Sequence, residues 1–116
     1  MQAKIGLGID IVDVRRFERI PYTNNRSFYR KMFDTSEIEY CLKFKDPAKH
    51  FAAKFAVKEA VKKSIKEKVS LLKIVTSHVR SRPQVQIKGV DRYEFTVSIS
   101  HEAKIAVAIV ISQKIR

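Results

Sequence analysis

Glu59 is the first residue whose type does not fit its surroundings. It lies in the stretch KFAVKEAVKKSI, and at helical spacing its neighbours are Ala52, Phe55 and Ala56, which should face a core. A buried carboxylate without a partner is unfavourable by roughly several kcal/mol. Glu59 therefore needs a cation. Lys63, four residues later on the same side, is the simplest candidate, as half of a helical ion pair.

Asp10 is the second such residue, on a predicted strand with one apolar face and one nearly bare face. Bare glycine positions permit close approach by a backbone or a ligand. A carboxylate beside them suits a metal-phosphate site, since Mg²⁺ takes one or two protein carboxylates together with substrate phosphates. The alternative is a strand-end aspartate that caps the next helix, a role for which Asp13 competes. The alternation over residues 4–11 puts Ile5, Leu7, Ile9 and Ile11 on one face and Gly6, Gly8 and Asp10 on the other.

His101 is the third, in the stretch SISHE, where one predicted strand ends just before another begins. A histidine there can be a ligand or an acid-base group, because its charge changes near neutral pH. It can equally be an ordinary turn or core residue. Each of the three signals is weak alone.

Composition limits the kinds of partner. The 116 residues indicate one domain, over residues 1–116, that can bury a core without disulfides. The net charge of +12 indicates an anionic partner: nucleic acid, an anionic membrane surface, a phosphorylated small molecule or an acidic protein. Nucleic acid is the usual partner of a small basic protein, and charge alone does not choose.

The chain carries no visible secretory signal, and its longest apolar run, Ile105 to Ile111, is too short to span a membrane. Its single cysteine, Cys41, cannot form an intramolecular disulfide and is expected to be a small, partly buried hydrophobic residue. These features fit a reducing cytoplasm.

The elements that must position these residues follow from periodicity. The first strand is followed by a predicted helix over Val12–Ile20, a loop at NNRS and a helix in TSEIEYCLKF capped by Thr35 or Ser36. The last third is β: a strand in LLKIV, two strands about a turn at Lys88-Gly89, and a final strand, KIAVAIVIS, apolar on both faces and hence central.

A long helix is predicted from Asp46-Pro47 to about Lys68, because proline suits the first turn of a helix. It has two apolar sides, which is typical of a helix wedged between other elements or subunits. The order of elements predicts an α+β fold with an antiparallel sheet packed on this long central helix. Its two apolar stripes are Ala48, Ala52, Phe55 and Ala56, and Val57, Val61 and Ile65.

Four segments together resemble one family. GLGIDIVDVRRF, FYRKMFDTSEIEYC, FAAKFAVKEAVKKSI and SISHEAKIAVAIVI resemble, in order and approximate spacing, the short bacterial 4′-phosphopantetheinyl transferases, the holo-[acyl-carrier-protein] synthases. The resemblance implies an enzyme that moves phosphopantetheine from coenzyme A to a serine of an acidic apo acyl carrier protein and releases 3′,5′-ADP. It further implies Mg²⁺, a role in fatty acid biosynthesis in the cytoplasm, a homotrimer with active sites between subunits, and no nucleic acid partner.

The resemblance also assigns residues to roles. Asp10 and Glu59 would bind the metal, Glu59 and Lys63 would be catalytic, and either Glu59 or a metal-bound water would take the serine proton. The coenzyme A contacts would be Lys54, Lys63, Arg82, Pro83 and His101, and the carrier protein would meet Arg15, Arg16, Arg19 and Arg26, extended by Arg30.

The chain departs from its relatives in one region. Most relatives have Gly-Thr-Gly soon after the family lysine, where this chain has Ser64-Ile65-Lys66-Glu67. Basic side chains, among them Lys66 and Arg82, are expected to hold coenzyme A phosphates there instead of backbone N–H groups. The alternative to an enzyme is a non-catalytic basic domain that binds carrier protein or nucleic acid.

Overall fold

The computed structural model describes residues 4–115, and it has the predicted α+β architecture. The long central helix packs on a three-stranded antiparallel sheet, and a two-stranded sheet lies beside them. Single 3₁₀ turns cover Tyr22–Asn24 and Leu71–Lys73. The strands are β1 (Ile5–Asp13), β2 (Ile74–Val79), β3 (Arg82–Ile87), β4 (Tyr93–His101) and β5 (Ile105–Lys114), and the helices are α1 (Arg15–Glu18), α2 (Arg26–Arg30), α3 (Thr35–Leu42) and α4 (Pro47–Ser64).

The larger sheet has the order β1-β5-β4, so the final strand is central, as predicted. The predicted turn at Lys88-Gly89 is present, with Gly89 at φ +82°. The strands on either side of it do not pair along their length, however. β3 pairs with β2 and β4 pairs with β5, and only an isolated bridge from Ile87 to Val90 closes the turn.

The bare face of β1 lies against the backbone of α4. A Cβ atom on Gly8 would lie 1.8 Å from the carbonyl oxygen of Ala60, and one on Gly6 would lie 1.7 Å from that of Ser64. Glycine is therefore required at both positions for the strand and helix to approach so closely. The sequence allowed either a backbone or a ligand to lie against these glycines, and the structure shows the backbone of α4.

The apolar face of the same strand points away from the helix. Its four large side chains are between 56% and 66% exposed, and apolar residues of β5 continue the surface on the adjacent strand. An exposed apolar sheet face of this extent is typical of an interaction site. We call it the outer face; its large residues are Ile5, Leu7, Ile9, Ile11, Ile105, Ile109 and Ile111.

Helix α4 is buried on almost all sides, as its two apolar stripes predict. It begins at Pro47 as expected but ends at Ser64, four residues earlier than predicted. Ser112 closes this end, because its hydroxyl donates to the carbonyl oxygen of Ser64 at 2.7 Å. The helix thus packs across the face of the sheet opposite the outer face, and its side chains reach both edge strands, β1 and β4.

Four local predictions are wrong. The strand predicted in LLKIV begins only at Ile74, because Leu71–Lys73 form a 3₁₀ turn.

The other three wrong predictions concern helices. The helix predicted over Val12–Ile20 is limited to α1, because β1 continues to Asp13. The NNRS stretch contains the start of α2 rather than a loop throughout. The cap of α3 is Asp34, which accepts from the backbone N–H of Ser36 at 3.1 Å, and not Thr35 or Ser36.

Cys41 is fully buried, and burial raises the pKa of its thiol to about 12. It is therefore an inert core residue. No helix in residues 4–115 has the length and apolar character that crossing a membrane requires.

Candidate active site

Asp10 and Lys63 form an ion pair where β1 crosses α4. The Lys63 ammonium donates to Asp10 Oδ1 at 3.2 Å and to the carbonyl oxygen of Ile9 at 2.9 Å. The predicted ion pair between Glu59 and Lys63 is therefore wrong, since the lysine reaches across to the strand. The capping alternative for Asp10 is also wrong, because Asp13 accepts from the backbone N–H of Arg15.

Glu59 lies one helical turn before Lys63 and is partly buried. Within residues 4–115 its carboxylate makes no hydrogen bond and no ion pair. Spacing on the helix puts it on the side that carries Lys63 and faces Asp10. The structure thus joins Asp10 and Lys63 directly, and helical spacing puts Glu59 on the same side of α4, with no partner for its carboxylate in residues 4–115.

These two carboxylates suit a hard cation. Among the described residues, no group of three or more His, Cys, Asp or Glu side chains is placed to hold a metal by itself. Mg²⁺ does not need one, because it is usually held by one or two carboxylates with water and substrate phosphates. Asp10 and Glu59 therefore fit a magnesium site completed by a phosphorylated substrate.

A second feature is a groove of about 340 Å³ between α4, β4 and the β2–β3 hairpin. Lys54, Pro83 and His101, three of the residues predicted to bind coenzyme A, line it together. Arg82 is exposed beside it, between the lining residues Ser81 and Pro83. Lys63 does not line it: it binds to β1, whereas the groove is bordered by β4 at the other edge of the sheet.

Lys54 is buried although it borders the groove. Its ammonium donates to Thr76 Oγ1 at 2.9 Å and lies 4.6 Å from the centre of the Tyr40 ring. Burial lowers the pKa of Lys54, and the nearby Cys41 and Glu37 oppose that effect. The side chain supplies positive charge to the wall of the groove from inside the protein.

Sequence reasoning missed a buried ion pair next to Glu59. Lys58 and Glu37 are both fully buried, with 2.6 Å between Nζ and Oε1. The other Glu37 oxygen accepts from Thr76 at both its backbone N–H (2.9 Å) and its hydroxyl (2.6 Å). A helix with apolar residues on two sides leaves Lys58 little access to solvent. The two apolar stripes were therefore the sequence feature that could have predicted its burial.

The groove also contains residues that the sequence did not single out: Tyr40, His50 and His78. They come from α3, α4 and β2. Nothing in their local spacing distinguishes them, because they meet only in the folded chain.

The predicted carrier-binding arginines are exposed on α1, α2 and the residue after α1. Arg15 pairs with Asp13 at 2.8 Å, and its guanidinium holds the pKa of that carboxyl near 2. Arg16 lies over the Phe55 ring, with 4.7 Å from Cζ to the ring centre, and Arg26 lies 5.8 Å from that of Tyr22. Together with Arg19 they form a basic surface at this end of the molecule.

The segment after α4, where the chain departs from the Gly-Thr-Gly pattern, is held by Glu67. This side chain accepts a hydrogen bond from the Tyr93 hydroxyl and pairs with Arg92 at 3.4 Å. The contacts bind the segment to the start of β4 and leave Lys66 exposed.

Comparison with known proteins identifies the family. The family model of the 4′-phosphopantetheinyl transferase superfamily matches residues 6–110. The chain belongs to this superfamily.

Two relatives in the superfamily match over almost their full length. The holo-[acyl-carrier-protein] synthase of Geotalea daltonii is 34% identical over 94% of this chain and 98% of its own. That of Thermodesulfovibrio yellowstonii is 41% identical over 91% and 96%.

Solved structures agree in fold. A holo-(acyl-carrier-protein) synthase from Bacillus anthracis, in complex with CoA (3′,5′-ADP), has a TM-score of 0.82 and 27% identity over 97% of this chain and 99% of its own. The Helicobacter pylori enzyme, in complex with coenzyme A, has a TM-score of 0.76 and 30% identity over 91% and 98%.

Proposed function

We propose that this protein is a holo-[acyl-carrier-protein] synthase. It transfers the 4′-phosphopantetheine group of coenzyme A to a serine of an apo acyl carrier protein. The observation that carries this conclusion is the near full-length match to relatives with that activity in their names. The junction of Asp10, Glu59 and Lys63 supports it, because it supplies the groups that phosphoryl transfer needs.

In this reaction the serine oxygen bonds to the phosphorus that carries pantetheine. The bond from that phosphorus to the bridging oxygen breaks, and 3′,5′-ADP leaves with the electron pair. Lys63 is 55% exposed, so its ammonium is free to turn from Asp10 to the transferring phosphate and stabilise its charge. The serine proton passes to Glu59, whose carboxylate has no partner in residues 4–115, or to a nearby water.

We propose Mg²⁺ as the metal, held by Asp10 and Glu59. When bound there, it neutralises the negative charge of the coenzyme A diphosphate. This assignment is supported by the Glu59 carboxylate, which has no partner among the described residues, and by the partly exposed Asp10 side chain.

Coenzyme A is proposed to lie in the groove, against Lys54, Pro83 and His101, with Arg82 at its margin. Lys66, which was expected to hold a coenzyme A phosphate, lies instead beside Tyr93 at the far end of β4. The groove and the Asp10–Lys63 junction lie at opposite edges of the sheet, because β5 separates β1 from β4. One chain therefore does not bring them together. Two adjacent subunits would, if each contributed one of the two parts.

The proposed assembly is a homotrimer. Its support is the outer face, where a subunit exposes seven large apolar side chains on two adjacent strands. Light scattering should give three times the mass of the chain. Leu7→Glu, in the middle of this face, should yield monomers that have lost transfer activity although Asp10 and Glu59 remain in place. A wild-type monomer that is fully active would refute the assembly.

The proposed docking surface for the carrier is formed by Arg15, Arg16, Arg19 and Arg26. A basic surface steers an acidic partner and raises the association rate more than the net affinity. Arg19→Glu should therefore raise KM for the carrier and leave KM for coenzyme A unchanged. Equal effects on both constants would reject this surface. We place the enzyme, as one domain, in cytoplasmic fatty acid synthesis, the setting in which carrier protein and coenzyme A occur together.

The deciding experiment is the intact mass of an acidic apo acyl carrier protein after incubation with coenzyme A, Mg²⁺ and this protein. A phosphopantetheine mass increase that is lost with EDTA and in Glu59→Ala supports both reaction and metal site. No increase with several carriers and metals would contradict the transferase. Binding to carrier or to nucleic acid without transfer would then indicate a binding domain.

A further inference from the structure

All three histidines of the chain meet in the groove. His50 comes from α4, His78 from β2 and His101 from the last position of β4. The rings of His50 and His101 are 6.1 Å apart, centre to centre. Three elements distant in sequence thus place their imidazoles on one open surface.

Two of the imidazoles, those of His50 and His78, pack through their faces, and the nitrogens of all three rings have no partner among the described residues. His50 stacks on Phe44 with 3.6 Å between ring centres, and His78 stacks on Tyr40 at 4.9 Å with the planes 13° apart. Within residues 4–115, none of the three makes a hydrogen bond or an ion pair. The ring edges, which carry the N–H groups, are therefore available to a ligand.

The charges around the histidines are mostly positive. Burial, then the neighbouring His101, lowers the pKa of His50, and burial, then Lys54, lowers the pKa of His78. An anion in the groove reverses the situation, because a nearby negative charge favours the protonated imidazole. The charged or titratable groups that face the rings are Lys49 and Lys54 of α4, Asp46 before it, Tyr40 of α3 and the other histidines.

We propose that His50 and His78 are phosphate-binding residues of this groove, acting with His101, and that they take up protons when coenzyme A binds. The proposal rests on the proposed function, which supplies coenzyme A as the ligand. A metal is disfavoured as the ligand, since the described residues hold no group of three His, Cys, Asp or Glu side chains arranged for one. The phosphate is either the 3′-phosphomonoester or the diphosphate.

Proton uptake has a measurable sign. Because binding raises the affinity of the imidazoles for protons, coenzyme A must bind more tightly as pH falls towards their titration range. The useful window is pH 8.0 to 6.5, because a phosphomonoester itself gains a proton near pH 6. Each proton taken up changes affinity by up to about tenfold per pH unit.

The test is calorimetric titration of coenzyme A into the wild-type protein with Mg²⁺ present, at pH 6.5 and 8.0, in two buffers of different ionisation heat. We expect a gain in affinity of roughly three- to tenfold at pH 6.5 and a buffer-dependent heat that reports proton uptake. Dephospho-coenzyme A lacks the 3′-phosphate. Loss of the gain with this ligand identifies the phosphomonoester, and an unchanged gain identifies the diphosphate.

Variants assign the protons. His50→Gln with His78→Gln should reduce the pH gain to about twofold or less and lower the proton uptake, whereas Lys73→Gln, an exposed charge outside the groove, should leave both unchanged. Far-UV circular dichroism checks the fold of the double variant. The proton uptake measured for the wild-type protein tests the proposal even if the double variant does not fold.

Absence of proton uptake in a wild-type protein that binds coenzyme A and transfers phosphopantetheine overturns this proposal alone. So does an equal pH gain in the double variant and the wild type. If the wild-type protein neither binds coenzyme A nor modifies a carrier, the proposed function fails with it.

Discussion

Two lysines of α4 each pair with a carboxylate from another element, and the two pairs differ in almost every physical respect. Lys58 and Glu37 are 2.6 Å apart and both side chains are fully buried. Lys63, five residues later on α4, lies 3.2 Å from Asp10 of β1, and the two side chains are 55% and 17% exposed. The residue types are nearly the same, so the difference lies in the surroundings.

The surroundings determine what each pair can do. The three N–H groups of the Lys58 ammonium are shared among four acceptors: Glu37 and the carbonyl oxygens of Met32 (2.9 Å), Leu71 (2.9 Å) and Ile74 (2.6 Å). No donor is left for a further ligand. Lys63 is open to solvent and lies one helical turn after Glu59, whose carboxylate has no partner in residues 4–115. The Lys58–Glu37 pair, which we call the buried pair, fastens α3 and β2 to the helix. The Lys63–Asp10 pair, which we call the open pair, is accessible to a substrate.

The largest expected effect comes from breaking the buried pair. Lys58→Met leaves the buried Glu37 carboxylate without a cation and takes a donor from three carbonyl oxygens, so the free energy of unfolding should fall by about 3–5 kcal/mol. Urea denaturation measures it. Lys58→Met combined with Glu37→Leu should recover part of the loss. A change below about 1 kcal/mol in the single variant would mean that the pair does not hold the fold.

Breaking the open pair should have the opposite effects, a large loss of activity and a small loss of stability. Lys63→Met should lower kcat by roughly 10²–10³-fold, the range for removing a donor that stabilises transition-state charge. The free energy of unfolding should change by less than about 1 kcal/mol, because an exposed ion pair contributes little. Lys62→Met, its exposed neighbour on the helix, is the matched control for both measurements. A large stability loss with normal kcat would reverse the comparison.

The open pair depends on the close approach of β1 to α4. Gly8→Ala places a methyl group against the Ala60 carbonyl oxygen, so the backbones must separate. We expect destabilisation of about 1–3 kcal/mol, and a fall in kcat because Asp10 moves with the strand. Gly89→Asn is the control, since its site is open and asparagine tolerates the positive φ. Normal activity in Gly8→Ala would show that the spacing is not critical.

The smallest effect is expected at the cap of α3, the helix that carries Glu37. Hydrogen bonds from Ser36 and then Lys88 lower the pKa of Asp34 to about 2. Asp34→Ala should reduce stability by about 1 kcal/mol at neutral pH. Because the folded pKa lies below the unfolded value of about 4, this stabilisation is present above pH 4 and is lost as pH falls to 2. Denaturation of wild type and Asp34→Ala at pH 7 and pH 2.5 measures this stabilisation. An equal stability difference at both pH values would show that the ionised Asp34 carboxylate is not its source.

The features predicted from sequence are those set by local pattern. The long helix, the first strand and the central last strand have clear periods. Asp10 and Glu59 were identified by their mismatch with these patterns, and Lys63 by its position four residues after Glu59. The partner of Lys63 was mispredicted because the helix offered Glu59 at four residues' distance, whereas the actual partner is 53 residues away.

The features not predicted are those created by packing. Glu37 meets Lys58 across 21 residues, and the three histidines of the groove come from different elements. The cap at Asp34 was mispredicted by one residue, because serine, threonine and aspartate are all good caps and stand in a row.

The most direct test of the account makes the same substitution in both regions. Glu59→Gln and Glu37→Gln are compared for the rate of phosphopantetheine transfer and for the free energy of unfolding. We predict that Glu59→Gln loses at least about 100-fold in rate with unfolding within about 0.5 kcal/mol of wild type. Glu37→Gln should lose stability while its folded fraction stays active. Normal transfer by Glu59→Gln would contradict the central claim that the open junction is the active site.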